Sequence, residues 1–215
     1  MDLKKLDLKK YVSSVYDKSA SSYAKEYPRP SEHIDKFLEN LKKLHSHELH
    51  PKILDIGCGI GKDSGYMHSQ GFGVIGIDIS KGMLKVAKKN FPKIDFRLAD
   101  FRHVDFLDNS FDGIFAAYSL IHIPKSDILK TLKRLNRFMK AHGFIYIALQ
   151  SGKPNELFVN LAFASKEKVF LNVYSYSEIK EILNKVGFKI IFKSERAPKK
   201  NEIDYKKLFI IAQKI

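Results

Sequence analysis

The sequence predicts an α/β fold in which helices cover both faces of a mostly parallel, doubly wound sheet. Short apolar segments alternate with amphipathic helical segments along most of the 215 residues, and this alternation is typical of such sheets. One apolar strand, at residues 52–56, runs directly into three alternating glycines. The next strand, at residues 73–78, ends in an acid, Asp78. Together these features predict a ligand site at the carboxyl ends of the strands.

The N-terminal segments have helical periodicity. Residues 9–25 place apolar and tyrosine side chains at helical spacing, which predicts one amphipathic helix, or two short ones, ending near Pro28. Residues 32–45 predict a second helix, with Ser31 as its candidate cap. The elements that follow are predicted as a strand at 52–56, a helix at 62–70, a strand at 73–78, a helix at 80–90 capped by Ser80, and a strand at 94–98.

The C-terminal half continues the alternation. Its predicted elements are a strand at 111–116, a helix at 126–140, a strand at 144–149, a helix that begins at the capping box 175–178, and strands at 188–193 and 205–213. The strand at 144–149 is continuously apolar, as expected for a strand buried on both faces. The loop between the last two strands is too short for a crossover helix, so the last strand is predicted to be antiparallel.

The glycine turn predicts the chemistry of the ligand. Gly57, Gly59 and Gly61 lack a β-carbon, so the backbone can turn tightly and a ligand can approach it closely. The amides of the following helix favour a negatively charged group. Asp78 can accept hydrogen bonds from both hydroxyls of a ribose. The segment therefore predicts a nucleoside-containing ligand, with a purely structural glycine turn as the alternative.

Two common phosphate-binding motifs are absent from this turn. A dinucleotide fingerprint needs G-x-G-x-x-G, and here the third glycine comes one residue early. A P-loop needs a glycine where Ile56 stands and a Ser or Thr where Asp63 stands. A nicotinamide oxidoreductase is therefore disfavoured.

Composition predicts one domain over residues 1–215 and a cytoplasmic location. The apolar content of 44% is enough for one sizeable core, and no apolar run is long enough to span a membrane. The N-terminus lacks the apolar stretch of a secretory signal. Cys58 is the only cysteine, which excludes an internal disulfide and favours a reducing compartment. Its small side chain suits the glycine turn, and a nucleophilic role is the alternative.

The net charge of +14 raises the possibility of a nucleic-acid partner. However, only six of the 38 basic residues are arginine, and lysines are spread along the whole chain. Solvated lysine-rich helix faces explain this distribution equally well, so nucleic acid is a possible but not a favoured partner. The exception is the basic run at residues 196–200, in a predicted hairpin loop. The sequence contains no cluster of acids and histidines that would predict a metal site.

The order of these segments resembles the class I S-adenosylmethionine-dependent methyltransferases. The segments that resemble the family's motifs are residues 54–61 (Leu-Asp-Ile-Gly-Cys-Gly-Ile-Gly), 76–80, 96–101, 110–118 and 134–147. The resemblance is strongest to small-molecule methyltransferases similar to those of quinone biosynthesis. It implies a seven-stranded sheet of order 3-2-1-4-5-7-6 with an antiparallel closing strand, and S-adenosylmethionine as methyl donor.

The resemblance also implies a role for each part of the cofactor site. The backbone from Gly57 through Cys58 and Gly59 to Gly61 would lie against the methionine tail and the ribose. Asp55 would face the ammonium group, directly or through water; its alternative role is a strand-end carboxylate that bonds turn amides. The other implied cofactor contacts are Asp78 for the ribose hydroxyls, Ile79 and Met83 on one adenine face, Asp100 for the adenine amino group, and the amide of Phe101. Read alone, Asp100 is as readily a loop acid.

Further residues are implied to shape the reaction side. Tyr118 and His122 follow the fourth strand, with Tyr118 shaping the cofactor pocket and His122 acting as a candidate general base or packing behind the site. Residues 1–30, with Tyr16 and Tyr23, resemble a lid over the cofactor. Residues 150–176 resemble a cap over the acceptor; its aromatic residues Phe158, Phe163, Phe170, Tyr174 and Tyr176 would suit an apolar or planar acceptor, or pack the core of a short helical cap.

The predicted function is methyl transfer from S-adenosylmethionine to a small organic acceptor. The methylated atom is left open among oxygen, nitrogen and carbon. The alternatives are an RNA or protein methyltransferase, motivated by the charge, and a non-catalytic partner subunit that binds the cofactor. The sequence makes no prediction of the oligomeric state.

Overall fold

The computed structural model describes residues 7–44, 50–161, 164–200 and 202–215. Phe163 of the proposed cap lies outside the described residues. The α-helices are α1 (Leu8–Glu26), α2 (Ile34–Leu44), α3 (Lys62–Ser69), α4 (Lys81–Asn90), α5 (Lys125–Phe138) and α6 (Tyr176–Lys185). The strands are β1 (Lys52–Ile56), β2 (Gly73–Asp78), β3 (Asp95–Leu98), β4 (Phe111–Ala117), β5 (Met139–Ser151), β6 (Asn155–Leu161), β7 (Ala164–Tyr174), β8 (Phe188–Arg196) and β9 (Lys206–Lys214).

The main sheet runs in the order β3-β2-β1-β4-β5-β9-β8. Strands β3, β2, β1, β4 and β5 pair in parallel, and β9 is antiparallel to both β5 and β8. Without the inserted hairpin this is the predicted order 3-2-1-4-5-7-6, and the antiparallel last strand is confirmed. The strand order reverses direction between β1 and β4, which is where doubly wound sheets bind their ligands.

The segment for which a short helical cap was one alternative is instead a β-hairpin. Strands β6 and β7 pair antiparallel, and β7 then pairs in parallel with β5 at Gln150 and Ser151. Strand β4 ends opposite Ala148, so the edge of β5 beyond that point is free to accept a strand. The hairpin therefore extends the sheet past the end of β4.

Helices pack on both faces of the sheet, as the alternation predicts. One face buries α2 through Phe37 and Leu41, which pack with the stacked rings of Phe115 and Tyr146, whose centroids are 4.3 Å apart. The other face buries α5 and α6 through residues such as Leu132 and Leu183. Such large apolar side chains each contribute about 1.5–3 kcal/mol when fully buried.

Two of the predicted caps are confirmed, and one is wrong. The Ser80 hydroxyl accepts from the Met83 amide at the start of α4, and Ser175 accepts from the Glu178 amide at the start of α6. Ser31 does not cap α2. Its amide and hydroxyl donate to Asp63, at 2.7 and 2.8 Å, and tie the chain before α2 to the first turn of α3.

Helix α1 is one continuous helix that lies across the carboxyl ends of the strands. Val12 and Val15 pack against the hairpin residues Leu161 and Val169. Further along the helix, Ala20 packs with Ile60 of the glycine turn and Met83 of α4. The helix therefore roofs the part of the sheet where the sequence predicts the ligand. Across the described residues, no helix is both long and apolar enough to cross a membrane.

Candidate active site

A cavity of about 770 Å³ lies at the carboxyl ends of the strands, beneath α1. Its floor is the glycine turn and the ends of β2 and β4, and residues 100–102 after β3 form one side. The connection at residues 26–32 and the segment at 196–207 form a second side. This volume is in the range of a cofactor or drug-sized site.

The glycine turn is held by hydrogen bonds to the end of β2. The amides of Gly57 and Cys58 both donate to the Ile77 carbonyl, and the Gly59 amide donates to the Asp78 carboxylate at 2.8 Å. Gly59 has φ +54°, and a β-carbon there would meet no atom within 4 Å. Gly59 thus presents bare backbone to open space in the cavity.

At Gly57 and Gly61 glycine is required because neighbouring side chains pack too closely to admit a β-carbon. A β-carbon on Gly57 would lie 2.5 Å from Cβ of Ser119, and one on Gly61 would lie 2.7 Å from the Phe96 ring. Both residues also have positive φ, of +67° and +78°. The alternation therefore combines two structural glycines with one that faces the ligand space.

Asp78 joins the glycine turn to helix α4. One carboxylate oxygen accepts from the Gly59 amide and the other accepts from the Ser80 amide, both at 2.8 Å. Burial raises the pKa of Asp78, and the backbone amides act in the opposite direction. Each carboxylate oxygen has further lone-pair capacity, which leaves Asp78 able to accept ligand hydroxyls at the cavity wall.

Asp55 lies beneath the turn and does not line the cavity. It is buried, and the Ser64 hydroxyl donates to it at 2.5 Å. Burial, followed by the negative charge of Asp63, raises the pKa of Asp55 to about 8. The protein thus carries a buried acid with a raised pKa next to the cavity floor, and a nearby cation would favour its ionised form.

Cys58 is buried under the same turn, outside the cavity lining. Burial raises the pKa of its thiol well above the ordinary value. Since the thiolate is the nucleophilic form, this environment disfavours the alternative role of Cys58 as a nucleophile.

Asp100 meets an arginine that the sequence reasoning missed. Arg102 donates to the Asp100 carboxylate through its guanidinium, at 2.8 Å for the closest pair, and through its amide. Burial opposes ionisation of Asp100, but the bonds from Arg102 outweigh it and lower the pKa of the carboxyl. Asp100, Phe101 and Arg102 all line the cavity. The sequence signal that could have revealed this contact is the spacing of Asp100 and Arg102, an acid and a base two residues apart.

Tyr16 and His122 form a hydrogen-bonded pair in the cavity. His122 Nε2 is 2.8 Å from the Tyr16 hydroxyl, and Nδ1 is 2.8 Å from the Phe170 carbonyl oxygen. Because a carbonyl only accepts, Nδ1 carries the proton and Nε2 accepts from Tyr16. Burial lowers the pKa of His122 to about 4 against the effect of the Phe170 bond. The imidazole is therefore neutral at physiological pH.

Asp17 anchors α1 to the start of α4. Its carboxylate accepts from the Ser80 hydroxyl and from the Gly82 amide, both at 2.7 Å. A β-carbon on Gly82 would lie 2.6 Å from the Asp17 carbonyl oxygen, so this glycine allows the close approach of the two helices. Since Ser80 also bonds Asp78, α1 and the glycine turn share one chain of hydrogen bonds. Asp17 is a second residue that the sequence reasoning missed.

The cavity brings together most of the predicted site residues. Those that line it are Tyr16, Tyr23, Gly57, Gly59, Asp78, Ile79, Met83, Asp100, Phe101, Tyr118 and His122. Asp55, Cys58 and Gly61 do not line it. The described aromatic residues of the proposed cap are also elsewhere: Phe158 and Phe170 pack with α1, while Tyr174 is buried in the main core. Among the described hairpin residues, Leu161 lines the cavity.

Fold and site together define a Rossmann-like domain with a roofed cavity at the carboxyl ends of its strands. Residues 53–143 match a family model described as a methyltransferase domain. A demethylmenaquinone methyltransferase from Symbiobacterium thermophilum is 28% identical over 181 residues, covering 79% of this chain and 70% of that protein. The methyltransferase GfsG from Streptomyces halstedii is 34% identical over 104 residues, covering 45% of this chain and 37% of that protein. By these matches the chain resembles the S-adenosylmethionine-dependent methyltransferases, with the family model covering less than half of it.

Solved structures show the same fold. The magnesium protoporphyrin IX methyltransferase from Synechocystis, crystallised with S-adenosylhomocysteine, has a TM-score of 0.73 at 16% identity and covers 97% of this chain and 100% of its own. A 1,6-didemethyltoxoflavin-N1-methyltransferase from Burkholderia thailandensis, with its substrate and S-adenosylhomocysteine bound, has a TM-score of 0.68 at 18% identity and covers 100% of this chain and 93% of its own.

The described residues fit the family's methyl donor. Gly59 offers bare backbone beside open space, and Asp78 lies next to it with acceptor capacity for hydroxyls. Ser119, which lines the cavity beside Gly57, has a buried hydroxyl with no hydrogen-bond partner among the described residues. Such a group needs a ligand or water to satisfy it, and the polar methionine tail supplies suitable groups.

Proposed function

We propose that this protein transfers a methyl group from S-adenosylmethionine to a small organic acceptor held under α1. The observation that carries the proposal is the bare Gly59 backbone bonded to Asp78 at the floor of a roofed cavity. When bound, S-adenosylmethionine supplies an electrophilic methyl group on a sulfonium. The protein then has to bind the methyl donor and the acceptor, align them, and exclude water from the site. Proximity and orientation account for much of such a rate enhancement.

Each implied cofactor contact has a place in this proposal. Asp78 accepts the ribose hydroxyls, Ile79 and Met83 cover the adenine, and Asp100 and the Phe101 amide bind its edge. The Ser119 hydroxyl forms a hydrogen bond with the methionine tail. Asp55 lies too deep to touch the cavity and acts through its charge: a cation above it favours its ionised form. Arg102 keeps Asp100 ionised and oriented.

His122 acts through Tyr16 in this proposal rather than as the direct base. Its Nε2 is occupied by the Tyr16 hydroxyl, and its pKa of about 4 makes it a weak base. Tyr16 donates to His122, and a hydroxyl oxygen can also accept a hydrogen bond from a proton-bearing nucleophile. Burial raises the pKa of Tyr16 well above its usual value. The pair therefore stays neutral and orients the acceptor.

Replacing Tyr16 with phenylalanine should lower kcat by at least about tenfold, because the hydroxyl that is proposed to orient the acceptor is lost. The affinity for S-adenosylhomocysteine should change little, because the ring is retained. Since His122 is neutral above about pH 5, the ratio of wild-type to variant kcat should be constant between pH 5.5 and 8. The measurement is steady-state kinetics across that range, with calorimetry for the ligand.

Tyr11→Phe is the matched control. The Tyr11 hydroxyl also ties α1 to the hairpin, by donating to the Lys168 carbonyl at 2.7 Å, but Tyr11 lies outside the cavity. An equal loss in both variants would assign the effect to lid anchoring. A ratio that changes with a midpoint near pH 6.5 would mean that His122 titrates as an ordinary base.

The size and kind of acceptor can be tested with isotopically labelled S-adenosylmethionine. The protein is incubated with a small-molecule extract, total RNA and a protein extract, each at low and at physiological salt. We expect label in the small-molecule fraction, because α1 and the hairpin enclose the cavity. Weak RNA labelling should vanish near physiological salt, as phosphate-driven binding weakens steeply with ionic strength. Salt-resistant labelling of RNA with none in the metabolite fraction would contradict the proposal.

The domain organisation supports the same interpretation. We propose that residues 1–30 form the lid, through α1 and its Asp17 anchor, and that residues 150–176 form the acceptor cap as a hairpin. The hairpin touches the reaction side through the Phe170 carbonyl, which fixes the tautomer of His122. The whole chain then acts as a single methyltransferase domain.

A further inference from the structure

One side of the cavity carries an excess of positive charge. The connection at residues 26–32 and the segment at 196–207 line this side with five cations and three acids. The five cations, which we call the basic wall, are Arg29, Arg196, Lys199, Lys200 and Lys207. The three acids are Glu26, Glu32 and Glu202.

Two of the acids are already neutralised by the wall. Glu202 accepts from both terminal nitrogens of Arg196 at 2.7 Å. Glu32 accepts from Arg196 and also from Lys199, at 2.7 Å for the latter. Within the described part of the chain, the side chains of Arg29 and Lys200 have no ion-pair partner. The surplus charge of the wall therefore faces the cavity.

Lys207 is the buried residue of the basic wall, and three hydrogen bonds hold its ammonium in place. It is 3% exposed, and its ammonium donates to Gln150 Oε1 and to the carbonyls of Ile203 and Tyr205, at 2.8, 2.6 and 2.7 Å. All three acceptors are neutral, and among the described residues no carboxylate lies within ion-pair distance of the ammonium. A buried charge without a counter-charge is costly. Burial accordingly lowers the pKa of Lys207 to about 8, against the attraction of Glu202.

We infer that the basic wall binds an anionic group, a carboxylate or a phosphate, on the methyl acceptor. The inference rests on the proposed methyl transfer and narrows its substrate to acidic small molecules. The three donors of Lys207 are already used, so this residue attracts the anion through its charge in a partly desolvated site. Arg29, Lys199 and Lys200 supply exposed donors at the same side. The anion then supplies the counter-charge that the protein itself lacks.

Calorimetry with small probes tests this inference directly. Benzoate and inorganic phosphate are titrated into the protein with and without saturating S-adenosylhomocysteine, and benzamide serves as the neutral counterpart of benzoate. We expect at least one anion to bind about tenfold or more tightly than benzamide, the factor expected for one charge-assisted contact. Benzoate and phosphate as separate arms distinguish a carboxylate acceptor from a phosphorylated one.

Variants decide whether the basic wall is responsible. Lys207→Met removes the charge at similar volume, and the double variant Lys199→Gln, Lys200→Gln removes two exposed charges without touching the core. Each should weaken anion binding about tenfold. Lys206→Met is the matched control, since Lys206 is the exposed neighbour outside the cavity, and it should bind as wild type does. If Lys207→Met fails to fold, the double variant alone decides.

The outcomes separate this inference from the proposed function. The binding of S-adenosylhomocysteine to the wild-type protein is measured in the same experiment. If this ligand does not bind, the proposed function is contradicted, whatever the result for the basic wall. If that ligand binds but the anions bind no better than benzamide, the inference is wrong and the methyltransferase proposal stands. Anion binding that survives in Lys207→Met and in the double variant would likewise overturn the role of the wall.

Discussion

Replacing Gly59 with valine should abolish measurable binding of S-adenosylmethionine while the protein remains folded. The new side chain would extend into open space that the cofactor is proposed to occupy, and would clash with nothing in the free protein. The positive φ of +54° adds backbone strain, which costs on the order of 1–3 kcal/mol of stability for a non-glycine residue. Calorimetry measures the binding, and thermal unfolding followed by circular dichroism checks the fold.

Gly71→Val separates loss of space from backbone strain. Gly71 also has a positive φ, of +93°, and a β-carbon there also meets nothing within 4 Å. It lies at the exposed end of α3, away from the cavity. This variant should lose similar stability and keep its affinity for S-adenosylmethionine. A Gly59→Val protein that folds and binds normally would show that the glycine spacing is incidental.

The second large effect is expected at Asp78. Replacing it with alanine removes the proposed acceptor of two ribose hydroxyls, and hydrogen bonds to a charged group contribute roughly 1.5–3 kcal/mol each. The affinity for S-adenosylhomocysteine should therefore fall by at least about tenfold, even if water replaces part of the lost contact. The change also frees the amides of Gly59 and Ser80, so the thermal midpoint is measured in parallel.

Asp95→Ala is the control for Asp78→Ala. Asp95 begins the neighbouring strand β3, is exposed, and pairs with Arg97, so its loss changes the net charge equally without touching the cavity. The affinity of the Asp95→Ala variant for S-adenosylhomocysteine should match that of the wild-type protein. An unchanged dissociation constant in Asp78→Ala, with the fold intact, would remove Asp78 from the cofactor site.

Local sequence patterns predicted much of the fold because they act over a few residues. The apolar runs of β1 and β5 and the caps Ser80 and Ser175 are set by neighbours along the chain, and all are confirmed. The hairpin β6–β7 was missed because its stability depends on the free edge of β5, far away in sequence. The sequence left the aromatic residues of this segment open between roofing the acceptor and packing a core, and tertiary contacts place Phe158 and Phe170 against α1 and Tyr174 in the main core.

The order of the main sheet followed from the resemblance to the class I methyltransferases. The sequence by itself determined the alternation of strands and helices and the placement of the glycine turn and Asp78 at strand ends. These features depend on backbone conformation and on periodicity, which adjacent residues encode. The partners of the functional groups were decided only by the tertiary structure: Ser64 at Asp55, Tyr16 at His122, and Gln150 at Lys207. The last two contacts join segments 106 and 57 residues apart in the chain. Burial then sets their charge states, and burial exists only once the whole sheet and its roof have packed.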